Sequence, residues 1–334
     1  MDPMNILGIE TSCDETSAAV VTDGIHLRSN VVASQDEIHS PYGGIVPEIA
    51  SRCHIERIQS ITETALLKAN MSLDDIDGVA VTAGPGLMGS LLVGLSYAKA
   101  LSYARKMPFK GINHLEGHIH AIFLEKKIEY PFIALLVSGG HTALYDVEGV
   151  GKLTLLGATK DDAAGEAFDK VAKILGLGFP GGKVIDKIAK EGNRNAYFFP
   201  RPNLHEPHFH FSFSGLKTAV LHQRKREPEA KISDIAASFQ EAVVDTLVQQ
   251  SLRALEFKEY QRLVVAGGVA ANSRLREVFL EISAKTNIEV FFPSLSLCTD
   301  NAAMIAAIGY HYLMAGDHDS LALNAFATSR HPIS

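Results

Sequence analysis

At 334 residues the chain exceeds what one hydrophobic core usually serves, and its 46% apolar content can fill two, so two globular domains are expected. A formal net charge of −7 argues against general nucleic-acid binding, which needs Lys and Arg to neutralise phosphates; an RNA substrate would require a local basic patch or a helper protein. Cys13, Cys53 and Cys298 form no CxxC pair, no basic-then-apolar leader opens the chain, and no apolar run approaches the roughly eighteen residues of a membrane span, which points to a cytoplasmic protein with no membrane association.

Asn5 to Glu10 is an apolar run too short for a helix, and Ala18 to Thr22 resumes after a polar break, which predicts strand, turn and strand. From Pro47 to about Ala69 apolar residues recur at helical spacing (Ile49, Cys53, Ile58, Ile61, Ala65, Leu66), with Pro47 suited to a first helical position. Gly78 to Thr82 reads as a strand, followed by a Gly84-Pro85-Gly86 turn and a helix from about Leu87 to Arg105. The second half repeats the logic: strand Phe132 to Ser138, turn Gly139 to Thr142, strand Ala143 to Val147, and later Leu263 to Gly268 leading into a helix near Asn272. The pattern predicts an α/β fold built as a duplicated unit with a boundary near residue 130, a cleft between the copies, and ligands at the carboxyl ends of the strands.

Four glycine turns follow apolar segments: Gly84-Pro85-Gly86, Ser138-Gly139-Gly140, Pro180-Gly181-Gly182 and Gly267-Gly268. Glycine lets backbone approach a phosphate, and four such turns in a duplicated α/β chain point to a nucleotide site. No GxxxxGK[ST] occurs, and no GxGxxG follows a strand. His114 and His118 lie four apart and share a face if helical, where they can grip one metal. A bare HxxxH is more often structural, and Leu115 after the first histidine rules out an HExxH protease helix. Asp300, at a helix start, is a candidate third ligand and equally a candidate N-cap. The turn Thr11 to Ser17 carries Asp14 and Glu15, a solvated pair or a phosphate-facing one. His205, His208 and His210, in a Pro-rich loop, read as surface histidines, and His222 to Arg226 as a solvated helix end with RNA contact the minority reading.

Taken together, Gly8 to Thr16, His114 to His118, Leu136 to Thr142, Gly165 to Lys170, Ser212 to Lys217 and Gly267 to Asn272 resemble the TsaD family, once labelled O-sialoglycoprotein endopeptidases, over about residues 4 to 315. The resemblance implies two duplicated α/β domains of the kind found in actin, heat-shock chaperones and sugar kinases, around a nucleotide cleft. It places them at 4–130, with 315–334 packing back on that domain, and at 131–314. It implies transfer of a threonylcarbamoyl group from threonylcarbamoyl-AMP to the N6 amine of the adenosine 3′ of the anticodon in tRNAs reading ANN codons. His114, His118 and Asp300 become ligands of one divalent metal, iron(II) or else zinc. Leu136, Val137, Ser138, Gly139, Gly140, Asp169, Gly182 and Asn272 match the family's adenylate contacts, with Asp186 joining through a ribose hydroxyl. For the reaction so implied, the carboxylates of Asp14 or Glu15 are the candidates to accept the amine proton or to position the nucleophile. A TsaB-like paralogue and a TsaE-like ATPase are the implied partners. One departure is Lys183, where the family has a proline after Pro180-Gly181-Gly182, so the loop gains a backbone donor and a charge where a rigid ring is expected. An ATPase or kinase of the same fold, a scaffold in a tRNA-modifying complex, and a metalloprotease are the competing classes.

Overall fold

The computed structural model describes residues 3–201 and 208–328, so His205 lies outside the described residues. The chain divides into two compact units, one formed by Met1–Ile128 with Pro293–Pro332, the other chiefly by Glu129–Phe292.

In the first unit, β1 (Asn5–Glu10), β2 (Glu15–Thr22) and β3 (His26–Ser34) form an antiparallel meander, and β4 (Gly78–Gly84) and β5 (Phe109–Asn113) add in parallel on the other side of β1. The sheet order is β3-β2-β1-β4-β5. Alternation along β1 and β4 decides what each face meets. Leu7, Ile9, Val79 and Val81 pack with Ile58 and Leu66 of the helix Pro47–Lys68 and with Leu95 and Ala98 of the helix Met88–Arg105. On the opposite face Gly8 lies under Ala302 and Ala306, and Gly309 against Ala80, so the helix Ala302–Met314 seats directly on the backbone. A methyl on Gly8 would come within 2.9 Å of the Ala306 side chain. Glu10 and Thr82 share this second face, which fixes the direction of their side chains.

The Ala302–Met314 helix is apolar nearly all round and buried for most of its length, packed against β1, β4 and β2 of the first sheet. The expected second domain of 131–314 is therefore set back to end at Phe292. Beyond the helix, Asp319 accepts the Gly111 N–H at 2.8 Å, and the Phe326 N–H reaches the Ala83 carbonyl at 3.0 Å.

The second unit repeats the plan. β6 (Phe132–Val137), β7 (Thr142–Gly149) and β8 (Lys152–Ala158) form the meander; β9 (Arg262–Ala266) and β10 (Glu289–Phe291) add in parallel, giving the order β10-β9-β6-β7-β8. β1 and β6 are the central strands of their sheets, and β6 is wholly buried, as its unbroken apolar run predicts. The helices Ala164–Leu175, Gly181–Ala189, Ser214–Arg226, Ile232–Lys258 and Ser273–Lys285 complete this unit. No helix among the described residues is long and apolar enough to cross a membrane.

Candidate metal centre and substrate loops

β5 ends at Asn113, whose side chain accepts the N–H groups of Leu115 and Glu116 at 2.9 and 3.4 Å and so caps the short helix His114–His120. One helical turn then brings His114 and His118 edge to face, with ring centroids 4.6 Å apart. Asp300 closes the group: its Oδ1 lies 3.0 Å from His118 Nε2 and 3.6 Å from His114 Nε2. One ligand atom from each of the three lies within 4.8 Å of the others. The competing N-cap role belongs to its neighbour, since the Asn301 side chain accepts the Met304 N–H at 3.1 Å. The Asp300 carboxylate faces the two histidines.

Glu10, fully buried at the end of β1, holds the far side of His114, with Oε2 3.1 Å from Nδ1. The Ser12 N–H and the Thr82 hydroxyl also donate to this carboxylate. A carboxylate at Nδ1 keeps the imidazole proton there and turns the Nε2 lone pair toward Asp300, the arrangement a ligating histidine needs. Glu10 had no role in the sequence reading. Its signal was a lone carboxylate closing an otherwise apolar strand.

Asp14 and Glu15 stand in the β1–β2 turn, which is pinned from several sides. The Leu87 N–H reaches the Ser12 carbonyl at 2.8 Å, and His54 sits 3.0 Å from the Cys13 carbonyl and 2.8 Å from the Thr16 hydroxyl. Burial first, then the charges of Asp300 and Asp14, push the Glu15 carboxyl well above the usual range; burial is also the main cause raising Asp14. Burial and the same carboxylates raise the Cys13 thiol. For His114, burial favours the neutral ring, but Asp300 and Glu10 overcome it and lift the pKa to about 9. The acids around His114 thus favour a positive charge at the position where a divalent cation would sit. Two imidazoles and a carboxylate are a suitable donor set for iron or zinc. His114, His118 and Asp300 accordingly form a group able to hold a metal ion.

In the second unit the turn after β6 is tied to itself, the Ser138 N–H reaching the His141 carbonyl at 2.8 Å. The first turn of the helix Ala164–Leu175 is pressed against it: the Gly165 and Glu166 N–H groups reach the Ser138 and Gly139 carbonyls at 3.2 and 3.1 Å. Gly139, Gly140 and Gly182 have open space where a side chain would be, whereas a methyl on Gly181 would lie 2.7 Å from the Asp169 backbone. Asp169 itself accepts the Gly181 N–H at 2.7 Å. Gly267, at φ 92°, abuts the Val137 carbonyl, joining the loop after β9 to the loop after β6. Asp186 accepts from the Ser273 hydroxyl at 2.8 Å, and Asn272 caps the Leu275 N–H at 3.0 Å while donating to Gln240 at 2.8 Å. Leu136 and Val137 are wholly buried in β6, Leu136 paired to β7 and β9 and Val137 to β7, so neither offers a surface to a ligand in this structure. Lys183 is exposed in the first turn of the helix Gly181–Ala189.

The model of the family described as TsaD, tRNA N6-adenosine threonylcarbamoyltransferase, matches residues 26–307. The chain belongs to the TsaD family. Proteins named tRNA N6-adenosine threonylcarbamoyltransferase are 57% identical in Syntrophus aciditrophicus, covering 99% of this chain and 98% of that one, and 55% identical in Geobacter sulfurreducens, covering 96% of each. The Clostridium perfringens protein of the same name is 51% identical over 97% of both chains. The transferase also resembles full-length HypF, with a TM-score of 0.65 at 15% identity over 95% of this chain and 47% of that one. It resembles component A of the Acidaminococcus fermentans (R)-2-hydroxyglutaryl-CoA dehydratase as well, with a TM-score of 0.58 at 14% identity over 93% and 99%. These two likenesses concern the fold alone, a duplicated actin-like α/β architecture. With membership shown, the chain is a tRNA-modifying acyltransferase, and the kinase, scaffold and metalloprotease readings give way.

Proposed function

We propose that the transferase joins the carbamoyl carbon of threonylcarbamoyl-AMP to the N6 amine of the adenosine 3′ of the anticodon in tRNAs reading ANN codons. His114, His118 and Asp300 would hold a divalent ion for that step. The observation that carries this reading is the convergence of those three side chains beside the acidic β1–β2 turn, with Glu10 orienting His114. Iron(II) is the proposed native ion, with zinc able to replace it, since two imidazoles and one carboxylate suit both. When bound, the ion would supply positive charge to polarise a substrate oxygen.

The remaining work falls to the chain's own groups. As the amine nitrogen bonds to the carbamoyl carbon, the bond from that carbon to the phosphate oxygen breaks and its electron pair leaves with AMP. The amine proton passes to a carboxylate oxygen of Asp14 or Glu15, which already share a hydrogen bond with each other. In the second unit the open backbone at Gly139 and Gly140 suits an oxyanion such as a phosphate, and Gly182 leaves equal room beside Asp169. Asp186 is assigned to a ribose hydroxyl and Asn272 to the same ligand, each held by the bonds already described. Family membership also supports a TsaB-like paralogue and a TsaE-like ATPase as partners, and a cytoplasmic setting. Chelation tests the metal: transfer should cease on stripping and return with iron(II), and full activity in metal-free protein would refute its role.

A further inference from the structure

We infer that the exposed basic edge of the second unit, formed by Lys173, Lys187, Lys190 and Arg194, is a docking surface for the tRNA backbone, an inference that rests on the transferase reading above. The helix Gly181–Ala189 buries Ile185 and Ala189 and turns Lys183 and Lys187 outward, and Lys190 continues the same face. From Lys183 to Lys190 this face runs about 10 Å along the helix axis. Arg194, also exposed, meets Lys190 at the rim of a hollow of about 210 Å³. Lys173 stands exposed near the end of the neighbouring helix Ala164–Leu175.

These charges are not there to hold the fold. Among the described residues Lys173, Lys187, Lys190 and Arg194 make no ion pair with a carboxylate, whereas Lys170 on the same helix as Lys173 is held by Asp162 and Glu166. Of the nearby acids, Asp169 faces the Gly181 N–H and Asp186 faces Ser273. Glu241 and Glu277 line the hollow with Lys190 and Arg194 but are paired with Arg274 at 2.7 and 2.8 Å, Arg194 also helping to lower Glu277. Glu191 is the exposed acid between residues 183 and 194. Lys187 and Lys190, three residues apart on one face, repel and give the helix nothing, so a polyanion is the partner that makes use of them. The other basic run, His222 to Arg226, is engaged locally: Arg224 donates to the Pro228 carbonyl, and Arg226 donates to Gln223 and lies 3.5 Å from Glu227. In a chain of net charge −7, the Lys187 edge is thus the better match for phosphate, and its helix starts at the Gly181-Gly182 loop proposed to meet the adenylate.

The test is direct binding of an ANN-decoding tRNA transcript to the full chain between about 50 and 200 mM salt. The variant Lys187→Ala/Lys190→Ala/Arg194→Ala should bind at least about tenfold more weakly, with the slope of log affinity against log salt reduced by about two to three. Lys225→Ala should match wild type, Lys187→Arg/Lys190→Arg should keep binding, and the KM for the adenylate should stay unchanged while that for tRNA rises. Wild-type affinity and slope in the triple variant would overturn the proposal. So would a loss confined to binding a protein partner, which would make the edge a protein interface. Because binding is read without turnover, tRNA held at this edge by a protein that never transfers would indict the assigned reaction and not the surface.

Discussion

Replacing Glu10 by Gln tests whether the buried carboxylate prepares His114 for a metal. The carboxylate accepts from three donors: the Ser12 N–H at one oxygen, and the Thr82 hydroxyl and His114 Nδ1 at the other. An amide has one accepting end. If its oxygen faces Ser12, the NH2 points at His114 Nδ1, the ring must carry its proton on Nε2, and the lone pair aimed at Asp300 is lost. If the oxygen faces His114, the NH2 confronts the Ser12 N–H in a fully buried place, and an unsatisfied donor there costs about 1–3 kcal/mol. Either way metal affinity should fall between tenfold and a hundredfold, about 1.4 to 2.8 kcal/mol. Titration of apo-protein with cobalt(II) or zinc(II) against a chelating dye measures the affinity, and the melting-temperature gain on adding metal should shrink in step. A purely structural Glu10 would lower the melting temperatures of apo and loaded protein equally while leaving the dissociation constant alone. That outcome, or wild-type affinity in Glu10→Gln, would refute the reasoning.

Removing a ligand outright, by His114→Ala, His118→Ala or Asp300→Ala, should cost more than the hundredfold ceiling of an outer-shell change, read as metal content after dialysis and as transfer rate. His114 is raised from 6.5 to about 9 in the metal-free protein, so its stabilising contribution is full below about pH 6.5 and disappears as pH climbs through 9. Apo-protein should therefore lose melting temperature across that window, metal binding should strengthen over it as the competing proton leaves, and His114→Asn should flatten both trends in a fluorimetric pH series. Gly181→Ala forces a methyl to 2.7 Å from the Asp169 and Phe168 backbone and should destabilise by about 1–3 kcal/mol, whereas Gly140→Ala meets nothing within 4 Å and should melt like wild type while raising the adenylate KM. Asn272→Ala removes the Leu275 cap and should cost about 0.5–2 kcal/mol in urea unfolding; Asn272→Asp keeps the cap and should regain most of that.

The central strands were legible and the edges were not. β1, β2, β6 and β9 are buried along most of their length and read as apolar runs. β3, β5, β8 and β10 are the four edge strands; each carries polar residues or is short, as His26-Leu27-Arg28 and Glu289-Val290-Phe291 show, and none stood out. The two histidines were visible as a spacing, yet their meeting with Asp300, about 180 residues away in sequence, was not, because periodicity carries no information about such a contact. The end of the second domain was misplaced for a related reason: the helix Ala302–Met314 is apolar on every side, so its sequence says that it is buried but not against which sheet. Asn272 and Asp169 illustrate a further limit, since both are occupied in holding their own loops, a duty that motif matching does not reveal.

The measurement that bears most directly on the account is transfer of labelled threonylcarbamoyl from its adenylate to an ANN-decoding tRNA by this transferase with its partners, wild type against His114→Ala, each checked for folding. The account predicts robust transfer by wild type and none above background by the variant. Equal transfer by both would contradict the assignment of His114, His118 and Asp300 as the metal centre of the reaction.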